Sequence, residues 1–216
     1  MGSSAESRDN ARRARGMILL AALALTAACA TPKHQGPLLL HPVPPTGEGY
    51  ALEQGALVFS DPELSVSVRP WDYRLVAEEF RISGEPSPFG DGEEAVSKFL
   101  FLRVRLENRS ARTLVFNPMR ASLLRRGDSP LLPVENSDLF MFAGENIADA
   151  EARARTFRKV VFDGAATVRP GQSLERYLVF RAPAVAPKQL VLELDDLWLG
   201  STSLTPHFTL EPFPAK

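Results

Sequence analysis

The clearest signal in the chain is a period of two. In the stretch 98–107 (KFLFLRVRLE), Leu100, Leu102, Val104 and Leu106 fall on one face while Arg103, Arg105 and Glu107 fall on the other, as in a half-buried strand. Phe99 and Phe101 share the charged face, so part of that face is expected to be covered too. Shorter runs at 56–60, 64–69, 73–82, 113–117, 121–125, 174–181, 189–194 and 208–211 predict further strands. Turn chemistry separates them: Asn108-Arg109-Ser110, Asn117-Pro118, Arg126-Gly127-Asp128 and Arg169-Pro170-Gly171-Gln172. Many short alternating strands predict a mainly β fold, an antiparallel sandwich. One segment departs from the pattern. Over 145–161 (ENIADAEARARTFRKVV), Ile147, Ala150, Ala154, Phe157 and Val161 recur at steps of three and four, which predicts a single amphipathic helical insertion. Preceded by the apolar Leu139-Phe140-Met141-Phe142, it is expected to close an open end or cover one face of a sheet.

The N-terminus carries a different pattern. Arg8, Arg12, Arg13 and Arg15 precede the uncharged, almost wholly apolar 12 residues 17–28, the order of an export signal. A permanent span needs about 20 residues, so this stretch is too short to be one. Ala-x-Ala spacings at 22–24 and 28–30 would suit an ordinary secretory peptidase, with the following cysteine incidental. The run Leu25-Thr26-Ala27-Ala28-Cys29 resembles the lipobox of bacterial lipoproteins. That resemblance implies cleavage before Cys29, a diacylglyceryl group on its sulfur and an acyl chain such as palmitate on its new amino group. Ala30, rather than aspartate, then points to the outer membrane over the inner. Residues 1–28 are read as the signal peptide. Residues 29–49, with Pro32, Pro37, Pro42, Pro44 and Pro45, are read as the lipidated cysteine and a tether reaching about 60 Å at roughly 3.1 Å per residue. Leu38-Leu39-Leu40 within it is expected to press onto the domain surface. Residues 50–216 are read as one sandwich domain.

A second resemblance rests on FLFLRVRLENRSARTLVFNP, VRPGQSLERYLVFRAP and KQLVLELDDL. These runs resemble immunoglobulin-like (telokin-like) domains of secreted bacterial lipoproteins, with Asn108, Ser110, Pro170, Gly171 and Phe180 at the matching turn and strand positions. The resemblance implies an immunoglobulin-like sandwich and no particular activity.

Composition narrows the function classes. The 216 residues are 44% hydrophobic and 24% charged, with 25 Lys+Arg and 26 Asp+Glu. Without the four arginines and two acids of residues 1–28, 21 basic and 24 acidic side chains remain, a net charge of −3 that attracts no nucleic acid. A single cysteine allows no internal disulfide. No Gly-x-Ser-x-Gly elbow occurs, Gly200-Ser201-Thr202-Ser203 reading as a polar turn, and no glycine-rich phosphate loop is present. His34, His41 and His207 have no close ligand spacing, and Met119 and Met141 have no nearby histidine for copper. The acids Asp91-Gly92-Glu93-Glu94 and Glu193-Leu194-Asp195-Asp196 offer oxygen ligands for calcium, although a solvated loop and a strand end are the simpler readings. Trp71, Tyr73, Trp198, Phe140 and Phe142 are expected in the core rather than along a ligand groove. Asn108-Arg109-Ser110 is formally a glycosylation sequon but reads as a turn.

The expectation is a non-catalytic envelope binding or scaffolding module without a cofactor, held to the membrane by lipid at Cys29. It would meet an envelope protein or glycan through loops 89–96 and 134–145. The alternative is a carbohydrate-active or metal-dependent envelope enzyme using dispersed acids, with Asp195 and Asp196 as the metal candidates.

Overall fold

The computed structural model describes residues 36–125, 129–140 and 147–215; the segment read as a signal peptide, Cys29, residues 126–128 and residues 141–146 lie outside them. The fold is mainly β. One layer is a five-stranded antiparallel sheet of β2 (Tyr50–Glu53), β3 (Ala56–Ser60), β4 (Leu64–Trp71), β5 (Phe99–Asn108) and β9 (Ser173–Arg181), in that spatial order. Facing it are two four-stranded sheets. One runs β1 (Leu38–Pro42), β13 (His207–Pro214), β10 (Leu190–Leu194), β7 (Ala121–Arg125); the other runs β12 (Thr202–Leu204), β11 (Leu197–Leu199), β6 (Leu114–Phe116), β8 (Ala166–Val168). All three sheets feed one core, in which Leu102, Leu106, Phe116, Leu192 and Leu197 are fully buried.

The two smaller sheets meet at a break shared by two paired segments, β10–β11 and β6–β7. Between β10 and β11, Asp196 adopts a left-handed φ of 60°. Opposite it, between β6 and β7, the chain makes a 3-10 turn, Pro118–Arg120. Asn117 ties the two breaks together: its backbone N–H donates to the Asp196 carbonyl at 3.2 Å and its side-chain amide to the Asp196 carboxylate at 2.9 Å.

The alternation in β5 resolves as expected. Leu100, Leu102, Val104 and Leu106 face the sandwich core, whereas Phe99 and Phe101 face a second cluster on the outer side of the sheet. Helices α1 (Tyr73–Ser83), α2 (Gly92–Val96), α3 (Asn136–Phe140) and α4 (Ile147–Val160) accompany the strands. Val76 and Phe80 of α1, Val96 of α2 and Phe157 of α4 close over that side, with Phe89 at the centre, 4.9 Å from the Phe101 ring and 6.2 Å from those of Phe80 and Phe157. The helix read from 145–161 therefore covers a sheet face.

Three expectations are corrected. Residues 73–82 form α1, not a strand: Asp72 caps it by accepting from the Arg74 N–H at 2.8 Å, and Tyr73, Val76 and Phe80 bury one stripe. Gly84, at φ 68°, ends it with its N–H on the Phe80 carbonyl. The helical insertion consequently has company, since α1 and α2 build the same layer. The tether read over 29–49 is interrupted by β1, which pairs Leu38–Pro42 antiparallel with β13 and buries Leu38. Proline is tolerated there because β1 is an edge strand, where an N–H is not needed on the open side.

Candidate functional site

The outer face of the five-stranded sheet is divided. At one end Phe99, Phe101 and Val179 lie under the helices; at the other, Arg103 and Arg105 of β5, Arg69 and Ser67 of β4 and Glu175 of β9 line an open groove. The division follows from β5 itself, whose outer positions change from Phe to Arg after residue 101.

A polar network marks the border. Arg103 donates to the Glu79 carboxylate of α1 at 3.0 Å and to the Tyr177 hydroxyl at 3.0 Å, and Tyr177 donates to Glu79 at 2.7 Å. The Arg103 guanidinium also stacks 4.1 Å above the Trp71 ring and pairs with Glu175 at 3.6 Å. Burial and then the adjacent Glu79 carboxylate push the Tyr177 phenol above its ordinary range. A raised phenol pKa contributes stability that is complete below the unfolded value of about 10 and is lost as pH rises past it. Tyr177→Phe is therefore expected to lower stability at pH 7 by about 1.5 kcal/mol, the worth of a hydrogen bond to a charged partner. It should also flatten the alkaline decline, so that urea midpoints of the variant and the parent converge toward pH 11.

The groove encloses about 750 Å³. Its floor is low because the outward positions of β3 and β4 there are Ala56, Val58 and Ser67, while long side chains rise around them. The β2–β3 hairpin forms one wall. With Glu53 paired to Ala56, its two-residue turn places Gln54 at φ 47° and Gly55 at φ 79°, the mirror-image turn that matches strand twist. Arg69 stands directly opposite Arg103 in register, and Arg105 opposite both Ser67 and Glu175. Among the described residues neither Arg69 nor Arg105 has a hydrogen bond or salt bridge. Arg105 adds only a minor attraction to Glu107, whose carboxylate is bonded to Arg109.

Four of the acids singled out from sequence are engaged elsewhere. Asp196 accepts from the Trp198 indole at 2.5 Å and from Asn117, which hold its carboxyl below the usual carboxylate range. Asp195 accepts from Thr205 at 3.2 Å, and Glu193 lies 3.3 Å from His207. Both oxygens of Asp91 accept from Arg153 at 2.8 Å. Among the described residues no three His, Cys, Asp or Glu side chains converge as a metal group. Cys29 lies outside the described residues, as do Phe142 and the segment 141–146.

Of the aromatics, Tyr73 is buried, whereas Trp71 is half-buried beneath Arg103 with its Nε1 unpartnered among the described residues. Trp198 is exposed rather than in the core, because Leu197 and Leu199 on either side of it face inward. In the loops expected to make contacts, Phe89, Val96 and Val134 all point into the outer cluster, and the Val134 N–H bonds the Val179 carbonyl. The groove was absent from the sequence reading. Its signal was the polar face of the 98–107 strand, but Arg69 joins that face only through strand pairing.

No family model matches the chain, and no curated protein matches it. Among solved structures the chain is similar to the yjhA protein from Bacillus subtilis, with 10% identity over 69% of this chain and 93% of that one and a TM-score of 0.39.

Proposed function

We propose that the protein is an envelope lipoprotein, anchored by lipid at Cys29 to the outer membrane, whose sandwich is a non-catalytic binding module for an anionic envelope component. The observation that carries the binding role is the open arginine face: a broad groove holding two guanidiniums that have no hydrogen bond or salt bridge among the described residues. Its volume lies within the range of about 300–1,000 Å³ usual for ligand sites. The order of basic segment, apolar run and Leu25-to-Cys29 motif supports the anchor. β1 begins at Leu38, nine positions after that cysteine in the sequence.

The test uses the full chain expressed in bacteria with a benzophenone amino acid in place of Glu53 at the groove rim, or in place of Trp198 on the opposite layer as a control. The Glu53 position is expected to give a discrete adduct after irradiation and the Trp198 position none. Cys29→Ser should lose both incorporated palmitate and sedimentation with membranes. Equal labelling from the two positions would refute the binding face, and palmitate retained in Cys29→Ser would refute the anchor.

A further inference from the structure

The like charges on this face are an expense in the free protein. Arg69 and Arg103 are direct cross-strand partners, an arrangement that destabilises a sheet, and Arg105 is the diagonal neighbour of Arg69. Arg103 is neutralised within the fold by Glu79 and Glu175 and is held over Trp71. Arg69 and Arg105 are not. Across a strand pair such diagonal neighbours lie about 7–8 Å apart at the backbone, within reach of one small ion for side chains as long as arginine's. Ser67, directly opposite Arg105 and two residues before Arg69 on the same face of β4, supplies a further hydroxyl donor at the groove floor.

We infer that Arg69, Arg105 and Ser67 form a binding site for a phosphate monoester. This rests on reading the open face as the binding surface and names its ligand class. Two free guanidiniums call for a charge near −2, which a phosphate monoester carries at neutral pH. A tetrahedral phosphate presents oxygens to two forks and a hydroxyl at once, whereas a single carboxylate has one planar oxygen pair and satisfies one fork. Glu53 at the rim and Glu175 beside Arg105 repel an approaching anion, so only one compact enough to contact both guanidiniums away from these carboxylates is held. The floor of Ala56 and Val58 leaves room for the organic part of the ester without demanding a particular one. A soluble sugar phosphate or a lipid headgroup would present the same chemistry.

The experiment uses the full lipidated chain in detergent, titrated with glycerol phosphate and followed by calorimetry and phosphorus NMR, with malonate as a dicarboxylate of equal charge. Binding is expected for glycerol phosphate, at least tenfold tighter than for malonate. Arg69→Gln and Arg105→Gln should each weaken it by about tenfold and the double variant by about a hundredfold, one charge-assisted contact being removed at a time. Melting of the free variants should be unchanged or higher, because the Arg69–Arg103 repulsion is relieved, which separates lost binding from lost folding. Repeating the titration in phosphatidylcholine vesicles with and without phosphatidic acid separates the sources. Competition by the lipid assigns the site to a headgroup, and its absence assigns it to a soluble ester. Undiminished binding in the double variant, malonate binding as tightly as phosphate, or no phosphate binding at all would each overturn the inference. If phosphate binding is absent while the Glu53 crosslink persists, the ligand class is wrong and the binding face stands; if both are absent, the face is wrong too.

Discussion

Phe157→Ala is expected to destabilise the domain by about 4 kcal/mol, the largest effect of any single truncation on the helical side. Phe157 is wholly buried at the centre of the second cluster, with its ring 6.2 Å from that of Phe89, which in turn touches Phe80, Phe99 and Phe101. No backbone of the five-stranded sheet pairs with α1 or α2, so apolar contact is the main attachment of these helices, assisted by the Glu79 network. A cavity at Phe157 removes contacts that all of them share. For a domain of this size such a loss lowers the melting temperature by roughly 10 °C. Hydrogen exchange should accelerate first in α1 and α4 and only later in β5, because the sandwich core lies on the other side of the sheet. Phe157→Leu, which retains most of the volume, should lose less than about 1.5 kcal/mol. A drop under about 1 kcal/mol for the alanine variant would show that the helical layer is not held by this cluster.

Asn108→Ala is expected to lower stability by about 3 kcal/mol through a different mechanism. Asn108 is fully buried at the end of β5, and its side chain makes four hydrogen bonds: Nδ2 donates to the Arg112 carbonyl at 2.7 Å and the Val168 carbonyl at 2.9 Å, and Oδ1 accepts from the Ser110 N–H at 3.0 Å and hydroxyl at 2.8 Å. Its backbone adds two more, from its N–H to the Gln172 carbonyl and to its carbonyl from the Gly171 N–H. One residue thus joins the five-stranded sheet, the 109–113 loop and the turn that follows β8. Removing the amide strands buried polar groups at about 1–3 kcal/mol each, although the Arg112 carbonyl keeps the Ser110 hydroxyl as a partner. Asn108→Asp should be no better, since a carboxylate would face two carbonyl oxygens. Urea unfolding of both variants measures this, and near-parental midpoints would mean that water or a shifted turn replaces the amide.

Much of this was legible in the chain. The turns at Asn108-x-Ser110 and Pro170-Gly171 were readable because Asn and Gly supply specific backbone chemistry, but that Asn108 binds both of them was not. The helix at Ile147–Val160 announced itself by steps of three and four over four turns. The helix at Tyr73–Ser83 carried the same signal, with Val76 and Phe80 on one face, yet its many β-formers read as a strand; the Asp72 cap and Gly84 stop emerge only in the structure. Strands of three residues such as β8, β11 and β12 left no periodicity to read. The Asp195-Asp196 pair drew attention as a cluster of acids, whereas its positions at a strand break commit it to Thr205, Asn117 and Trp198.

The sequence by itself determined the mainly β character, the two-faced nature of the central strand and the order of basic, apolar and cysteine segments at the N-terminus, since each is a property of neighbouring residues and of where successive side chains point. Only the tertiary structure decided that Arg69 lies against Arg103, that the helices stop at residue 101 of that strand and that the remaining arginines border an open groove. Those features depend on the register between strands that a helical excursion separates in the chain. Register is set by which apolar faces meet in the core, a contest among distant segments that no local pattern records.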